Sequence, residues 1–136
     1  MRIAQISDTH ILRPGLKTYG IAPMAENLNR CIKHINALSL KPDIVLLSGN
    51  ITNDFARNGA QHAADILTAL DCSYYLVPGN HDDRNEFWDV FGKTACPARL
   101  NGFINYVIDD NALRIIALNT LWNRQAGGMV CETRAA

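Results

Sequence analysis

No block of basic residues occurs anywhere in these 136 residues: 13 Lys and Arg are balanced by 13 Asp and Glu, for a formal net charge of zero. This argues against nucleic acid or a membrane surface as a partner recognised through bulk charge, though not against a small anionic ligand. No apolar run approaches the about 20 residues that span a bilayer. The four cysteines, Cys31, Cys72, Cys96 and Cys131, include no C-x-x-C pair. With no signal segment ahead of Met1-Arg2-Ile3 either, they read as reduced thiols of a cytoplasmic protein. No G-x-G-x-x-G or P-loop follows any apolar run, which disfavours a metal-free nucleotide-binding domain. No internal repeat, low-complexity tract or linker divides the chain. What remains is one domain of ordinary globular composition, 48% hydrophobic and 19% charged.

What is present is a recurring form, an apolar run that stops at polar residues. Ile3-Ala4-Gln5-Ile6-Ser7 leads into Asp8-Thr9-His10. Ile44-Val45-Leu46-Leu47-Ser48 leads into Gly49-Asn50, and Tyr74 to Val77 leads into Pro78-Gly79-Asn80-His81-Asp82. Open α/β sheets place their ligands at such carboxyl ends of strands. Residues 2–7, 43–48 and 73–77 are therefore predicted strands, the first buried and the second buried on both faces. Between them the period changes. Met24, Leu28, Cys31, Ile32, Ile35 and Leu38 share one helical face, which Lys41-Pro42 should end. Ala63, Ile66, Leu67 and Leu70 mark a helix over 59–70, and Phe87, Val90 and Phe91 a short one over 83–91. Residues 8–23 and 49–58 are polar loops. Two further strands, 103–108 and 113–118, turn at Asp109-Asp110-Asn111. The order is β-α-β-α-β-α-β-β, an α/β class with its first three strands parallel.

Asp8 and His10 are two residues apart and would lie on one side of an extended chain. Oxygen and nitrogen donors in that arrangement suit Mn, Fe or Zn. Taken alone, the pair reads equally as a turn-capping carboxylate and a solvated loop histidine. Gly79 permits a sharp turn, and Asn80 can offer an amide oxygen to a metal. His81 can donate a proton to a leaving oxygen, with Asp82 orienting its imidazole. A polar turn explains one such motif, but less readily two, each after a strand. His34 and His62 sit on helices apart from the motifs and read as solvated. Cys31 and Cys72 read as small core residues. Asn119-Thr120 reads as support for the site or the fold. Arg84 can reach a phosphate or simply begin a helix.

D-x-H after the first strand, G-(D/N)-x-x-(D/N) after the second and G-N-H-D after the third resemble the calcineurin-like metallophosphoesterases. Residues 2–10, 45–49 and 77–84 resemble the bacterial 3′,5′-cyclic nucleotide phosphodiesterase branch in particular. The resemblance spans the chain but only about the N-terminal half of a family domain. Later histidine ligands, including a G-H-x-H motif, have no counterpart. It implies a partial αββα sandwich, with 1–136 a single domain incomplete at its C-terminus, where 131–136 reads as the first turns of a helix. It implies two divalent ions, Fe/Mn or Mn/Mn with Zn as a further choice, and a bridging hydroxide that attacks a small phosphodiester such as cyclic AMP. By the same resemblance Asp8 and His10 hold one metal, position 50 bridges the two, and Asn80 binds the second. His81 assists the leaving group with Asp82 behind it, and Asn80, His81 and Arg84 face the substrate.

The departure is Asn50, where the family carries aspartate. Two dications lower the pKa of shared water toward about 7, but they repel and require an anionic bridge. A neutral amide is a poor one, and a metal pair should be held more weakly. The alternative reading is a catalytically impaired fragment or pseudo-enzyme that binds phosphate or a partner. Asn53 and Asp54 are the residues at hand to compensate. Half a sandwich should also leave an apolar sheet face uncovered, open to aggregation or a homo-oligomer.

Overall fold

The computed structural model describes residues 1–53, 57–99, 102–110, 113–122 and 125–135. Along the chain run β1 (Ile3–Ser7), α1 (Met24–Ala37), β2 (Ile44–Ser48), α2 (Arg57–Leu67) and β3 (Ser73–Val77). α3 (Arg84–Phe91), β4 (Tyr106–Asp110), β5 (Leu113–Ala117) and the single-turn α4 (Glu132–Ala135) follow. The order matches the sequence reading, and the α/β class with it. β1, β2 and β3 form a parallel sheet in that spatial order; β4 and β5 form an antiparallel pair.

β2 lies in the middle, and its β-branched and aliphatic run explains why: Ile44, Val45 and Leu47 are all buried. β1 departs from the buried strand expected over 2–7. It is an edge strand whose burial alternates, with Ile3, Gln5 and Ser7 exposed. The register holds the three strands level. Ser7 lies beside Ser48, and Ser48 beside Val77. Their carboxyl ends therefore stop in one row, and every residue that follows a strand is delivered to the same sheet edge.

α1 buries Leu28, Ile32 and Ile35 against the sheet and leaves Met24 and Cys31 half-buried. Each large aliphatic side chain so buried contributes about 1.5–3 kcal/mol. The helix stops before the predicted Lys41-Pro42: Leu38 turns extended, at ψ 135°, and its N–H bonds back to Ile35 O at 3.2 Å. α2 starts at Arg57 and ends at Leu67, so Leu70 packs from beyond the helix, half-buried. Asp83 caps α3 by accepting from the N–H groups of Asn85 and Glu86. Phe87 and Phe91 are buried with ring centroids 4.9 Å apart, and Val90 is half-buried.

The hairpin differs from the predicted one. β4 continues through Asp109 and Asp110, and Asp110 pairs with Leu113. Asp109 and Asp110 are therefore strand and not turn residues, and Asn111 lies outside the described residues. Tyr106 Oη donates to Leu76 O at 2.7 Å, tying the hairpin to β3. Tyr106, Ile108 and Ala117 join the common core. On the outer face the cross-strand pair Val107 and Ile116 is exposed; Leu113, at the turn end of β5 on the other face, is exposed as well. The cysteines are free thiols. Among the described residues no helix is long and apolar enough to cross a membrane.

Candidate functional site

Beyond the sheet edge the β1 and β2 loops run side by side. Asp8 N–H bonds to Gly49 O at 3.2 Å, His10 N–H to Asn50 O at 2.8 Å and Ile11 N–H to Ile51 O at 2.8 Å. Gly49 N–H reaches Val77 O at 2.9 Å and so joins the third strand end to the other two. The backbone bends sharply to do this. Asp8 (φ 55°), His10 (φ 44°) and Asn50 (φ 47°) all occupy the left-handed region. Asp, His and Asn tolerate that region better than most residues, yet each departure costs of order 1–3 kcal/mol. The expected route to a shared ion, two side chains on one side of an extended segment, is corrected here. A left-handed turn brings Asp8 Oδ1 to 3.8 Å from His10 Nε2.

Asn50 lies between the motifs. Its Nδ2 donates to Asp8 Oδ1 at 3.1 Å, and its Oδ1 accepts from His81 N–H at 3.2 Å. His10 and His81 meet edge to face, with centroids 4.9 Å apart. His10 Nδ1 lies 3.0 Å from Asn53 Oδ1, and His81 Nδ1 lies 3.4 Å from Asn53 O. Four of the sequence-predicted residues, Asp8, His10, Asn50 and His81, are therefore in one cluster. Asn80 faces the adjoining cavity of about 370 Å³, lined also by Ser48, Gly49, Val77, Thr120 and Leu121.

Asp82 is not behind the imidazole. It is 1% exposed, and its carboxylate accepts four hydrogen bonds. Oδ1 takes Thr52 N–H at 2.7 Å and Thr52 Oγ1–H at 2.9 Å. Oδ2 takes Gly79 N–H at 2.8 Å and Ile51 N–H at 3.1 Å. A carboxylate has about four lone-pair sites, and backbone and hydroxyl donors fill them. Burial pushes its pKa up, against the pull of Gly79, Thr52 and Ile51 in the other direction. Asp82 is thus a positioning residue that fastens the β2 loop to the β3 loop.

Arg84 begins α3, one of the two readings open to it, and does not line the cavity as the resemblance implied. Its Nη2 donates to Leu121 O at 3.0 Å and its guanidinium lies 5.0 Å from the Phe103 ring centroid. It supports the cavity wall from behind and is absent from the lining. Burial, followed by the nearby Arg134 and Arg99, lowers its pKa. His62 is not simply solvated: its Nδ1–H donates to Leu12 O at 2.7 Å and pins the loop after His10. His34 is exposed. Asn119 is buried, and its Oδ1 accepts from Leu121 N–H at 3.1 Å. Thr52 carried no signal in the sequence, because its role depends on a partner thirty positions away. Asp54 lies outside the described residues.

The donor set fits one divalent ion. Asp8 supplies an anionic oxygen. Asn53 Oδ1 accepts from His10 Nδ1–H, which leaves Nε2 with its lone pair, the arrangement that orients a ligating imidazole. The set does not fit a pair. At the bridging position an amide nitrogen, which is no ligand, faces Asp8. No cluster of three or more His, Cys, Asp or Glu able to hold a metal occurs among the described residues.

Three strand ends, each carrying its motif to one edge of a parallel sheet, define a phosphoesterase-type α/β domain. The family profile described as calcineurin-like phosphoesterase matches residues 1–130, and the chain belongs to that family. Calcineurin-like phosphoesterases use divalent metal ions. A probable glycerophosphodiester phosphodiesterase of Arcobacter nitrofigilis is 33% identical over 140 residues, covering 98% of this chain and 49% of that protein. A glycerophosphodiester phosphodiesterase of Enterobacter lignolyticus is 32% identical over 138 residues, covering 100% and 49%. A probable cyclic nucleotide phosphodiesterase of Rhodopseudomonas palustris is 34% identical over 143 residues, again covering 100% and 49%. The chain spans about half the length of these relatives.

Proposed function

We propose that this chain carries the amino-terminal part of a metal-dependent phosphodiester hydrolase site of the cyclic nucleotide phosphodiesterase type. The observation that carries this reading is the meeting of Asp8, His10, Asn50 and His81 beside a cavity of about 370 Å³. The names of the relatives support a small phosphodiester, such as cyclic AMP, as the substrate class. Asp8 and His10 hold a divalent ion, Mn or Fe with Zn as a further choice. Asn80 orients the phosphoryl group from the cavity. His81 carries a proton to the leaving oxygen. A bound ion neutralises phosphoryl charge and makes water a better nucleophile near neutral pH. Asp82 holds the loops that set the distance between these groups. Free thiols are compatible with a reducing cytoplasm.

One observation favours a second reading, a catalytically impaired form that binds phosphate or a partner: Asn50 donates to Asp8 where the family resemblance calls for an anionic bridge. Turnover decides between them. The purified chain is incubated with Mn²⁺, Fe²⁺ or Zn²⁺ and offered cyclic AMP, a glycerophosphodiester or bis(4-nitrophenyl) phosphate. The hydrolase reading expects hydrolysis that falls about 10²-fold or more in His81→Ala. Binding of cyclic AMP or inorganic phosphate with no turnover by any metal supports the second reading and overturns the first for this chain.

A further inference from the structure

Asn50 is the point where the three motif loops meet, and it uses both ends of one amide there. Nδ2 donates to Asp8 Oδ1 at 3.1 Å, and Oδ1 accepts the N–H of His81 at 3.2 Å. We propose that this amide is a built-in bridge that assembles the site without a metal pair, so that the chain holds at most one divalent ion, at Asp8 and His10. The single ion rests on the hydrolase reading above; the assembly of the site by the amide does not.

The partners fix the amide's orientation. Turned over, it would set oxygen against the Asp8 carboxylate and N–H against the His81 N–H, a mismatch at both ends. An aspartate at this position could still accept from His81, but it has no proton to offer Asp8. Two like-charged carboxylates would then face each other and repel in place of a hydrogen bond. The surroundings clamp the amide in place. Asn50 O accepts from His10 N–H at 2.8 Å. A Cβ added at Gly79 would lie 2.3 Å from both Asn50 N and Asn50 Oδ1, so only the missing side chain there lets the β3 loop close over the amide. A bridging ion would have to displace the bond to Asp8 and would find nitrogen facing it.

The test uses the full chain in two measurements, thermal unfolding in chelator and equilibrium Mn²⁺ binding. In chelator, Asn50→Asp is expected to melt about 4 °C or more below the wild type. The double variant Asp8→Asn/Asn50→Asp again places an amide donor against a carboxylate, with the roles exchanged, and should recover most of that loss. A residue important merely for packing would show no such rescue. The wild type should bind no more than one Mn²⁺ per chain. Should Asn50→Asp fail to fold in chelator, restored folding in the double variant supports the bridge and its absence overturns it. Equal melting of wild type and Asn50→Asp, or two Mn²⁺ per wild-type chain, also overturns it. Hydrolysis enters none of these readouts, so failure of the bridge and failure of the hydrolase reading are distinguishable.

Discussion

Asp82 shows how much one side chain can organise. Its two oxygens receive three backbone N–H groups and one hydroxyl, all from the loops that carry the motifs. Asp82→Asn keeps the shape but replaces one oxygen with a donor; with the amide nitrogen turned to Thr52, whose hydroxyl can accept, the Thr52 N–H is still left unmatched. At about 1–3 kcal/mol for an unmatched buried group, the variant should lose about that much, read by urea denaturation. A loss below 1 kcal/mol would refute the role assigned to it. The thiols give a second test at this scale. Burial pushes Cys96 up to about 12, whereas a hydrogen bond from Arg134 lowers Cys131. The thiolate is the reactive form, so Cys131 should alkylate well before Cys96 when iodoacetamide labelling at pH 8 is followed by mass spectrometry. Labelling of Cys96 should await unfolding.

The β2 and β3 loops act as one element. Gly79 is fixed by the space it lacks, since an added Cβ would approach Gly49 Cα to 2.8 Å and Asn50 more closely still. Gly79→Ala should therefore separate the loops and cost about 1–3 kcal/mol, as overpacking does. Gly127→Ala meets nothing within 4 Å and should stay within about 0.5 kcal/mol of the wild type. Melting curves of the two variants make the comparison. The chemistry-bearing residues here were legible in the sequence because each follows an apolar run directly. The conformation that joins Asp8 to His10 was not, since alternation along a strand says nothing about a left-handed turn beyond its end. The Asp82 contacts were hidden for a related reason. Ile51 and Thr52 reach it only because β2 and β3 pair in register.

For the whole molecule the open question is the outer face of the hairpin. Val107 pairs with Ile116, and they are 48% and 62% exposed on a chain that spans half the length of its relatives. Ile116→Lys should leave stability within about 0.5 kcal/mol, because it removes an already solvated side chain. Light scattering coupled to size exclusion should then report a lower apparent mass for the variant than for the wild type at high concentration. Equal masses would show that this face does not drive self-association.

The sequence by itself determined the parallel strands, the helices between them, the family motifs and the substitution at position 50, because those features are local runs of residue type. Tertiary structure alone decided what the polar residues do. Register brought Ser7, Ser48 and Val77 level and so gathered the motifs. Packing drew Arg84 to the Leu121 carbonyl and away from the cavity lining. Burial turned Asp82 from an expected partner of His81 into a clasp for two loops. Asn50 read in one dimension is a missing charge; in three it is a donor and an acceptor set between Asp8 and His81. Hydrogen-bond direction depends on which groups the fold places opposite each other, and no run of neighbouring residues specifies that.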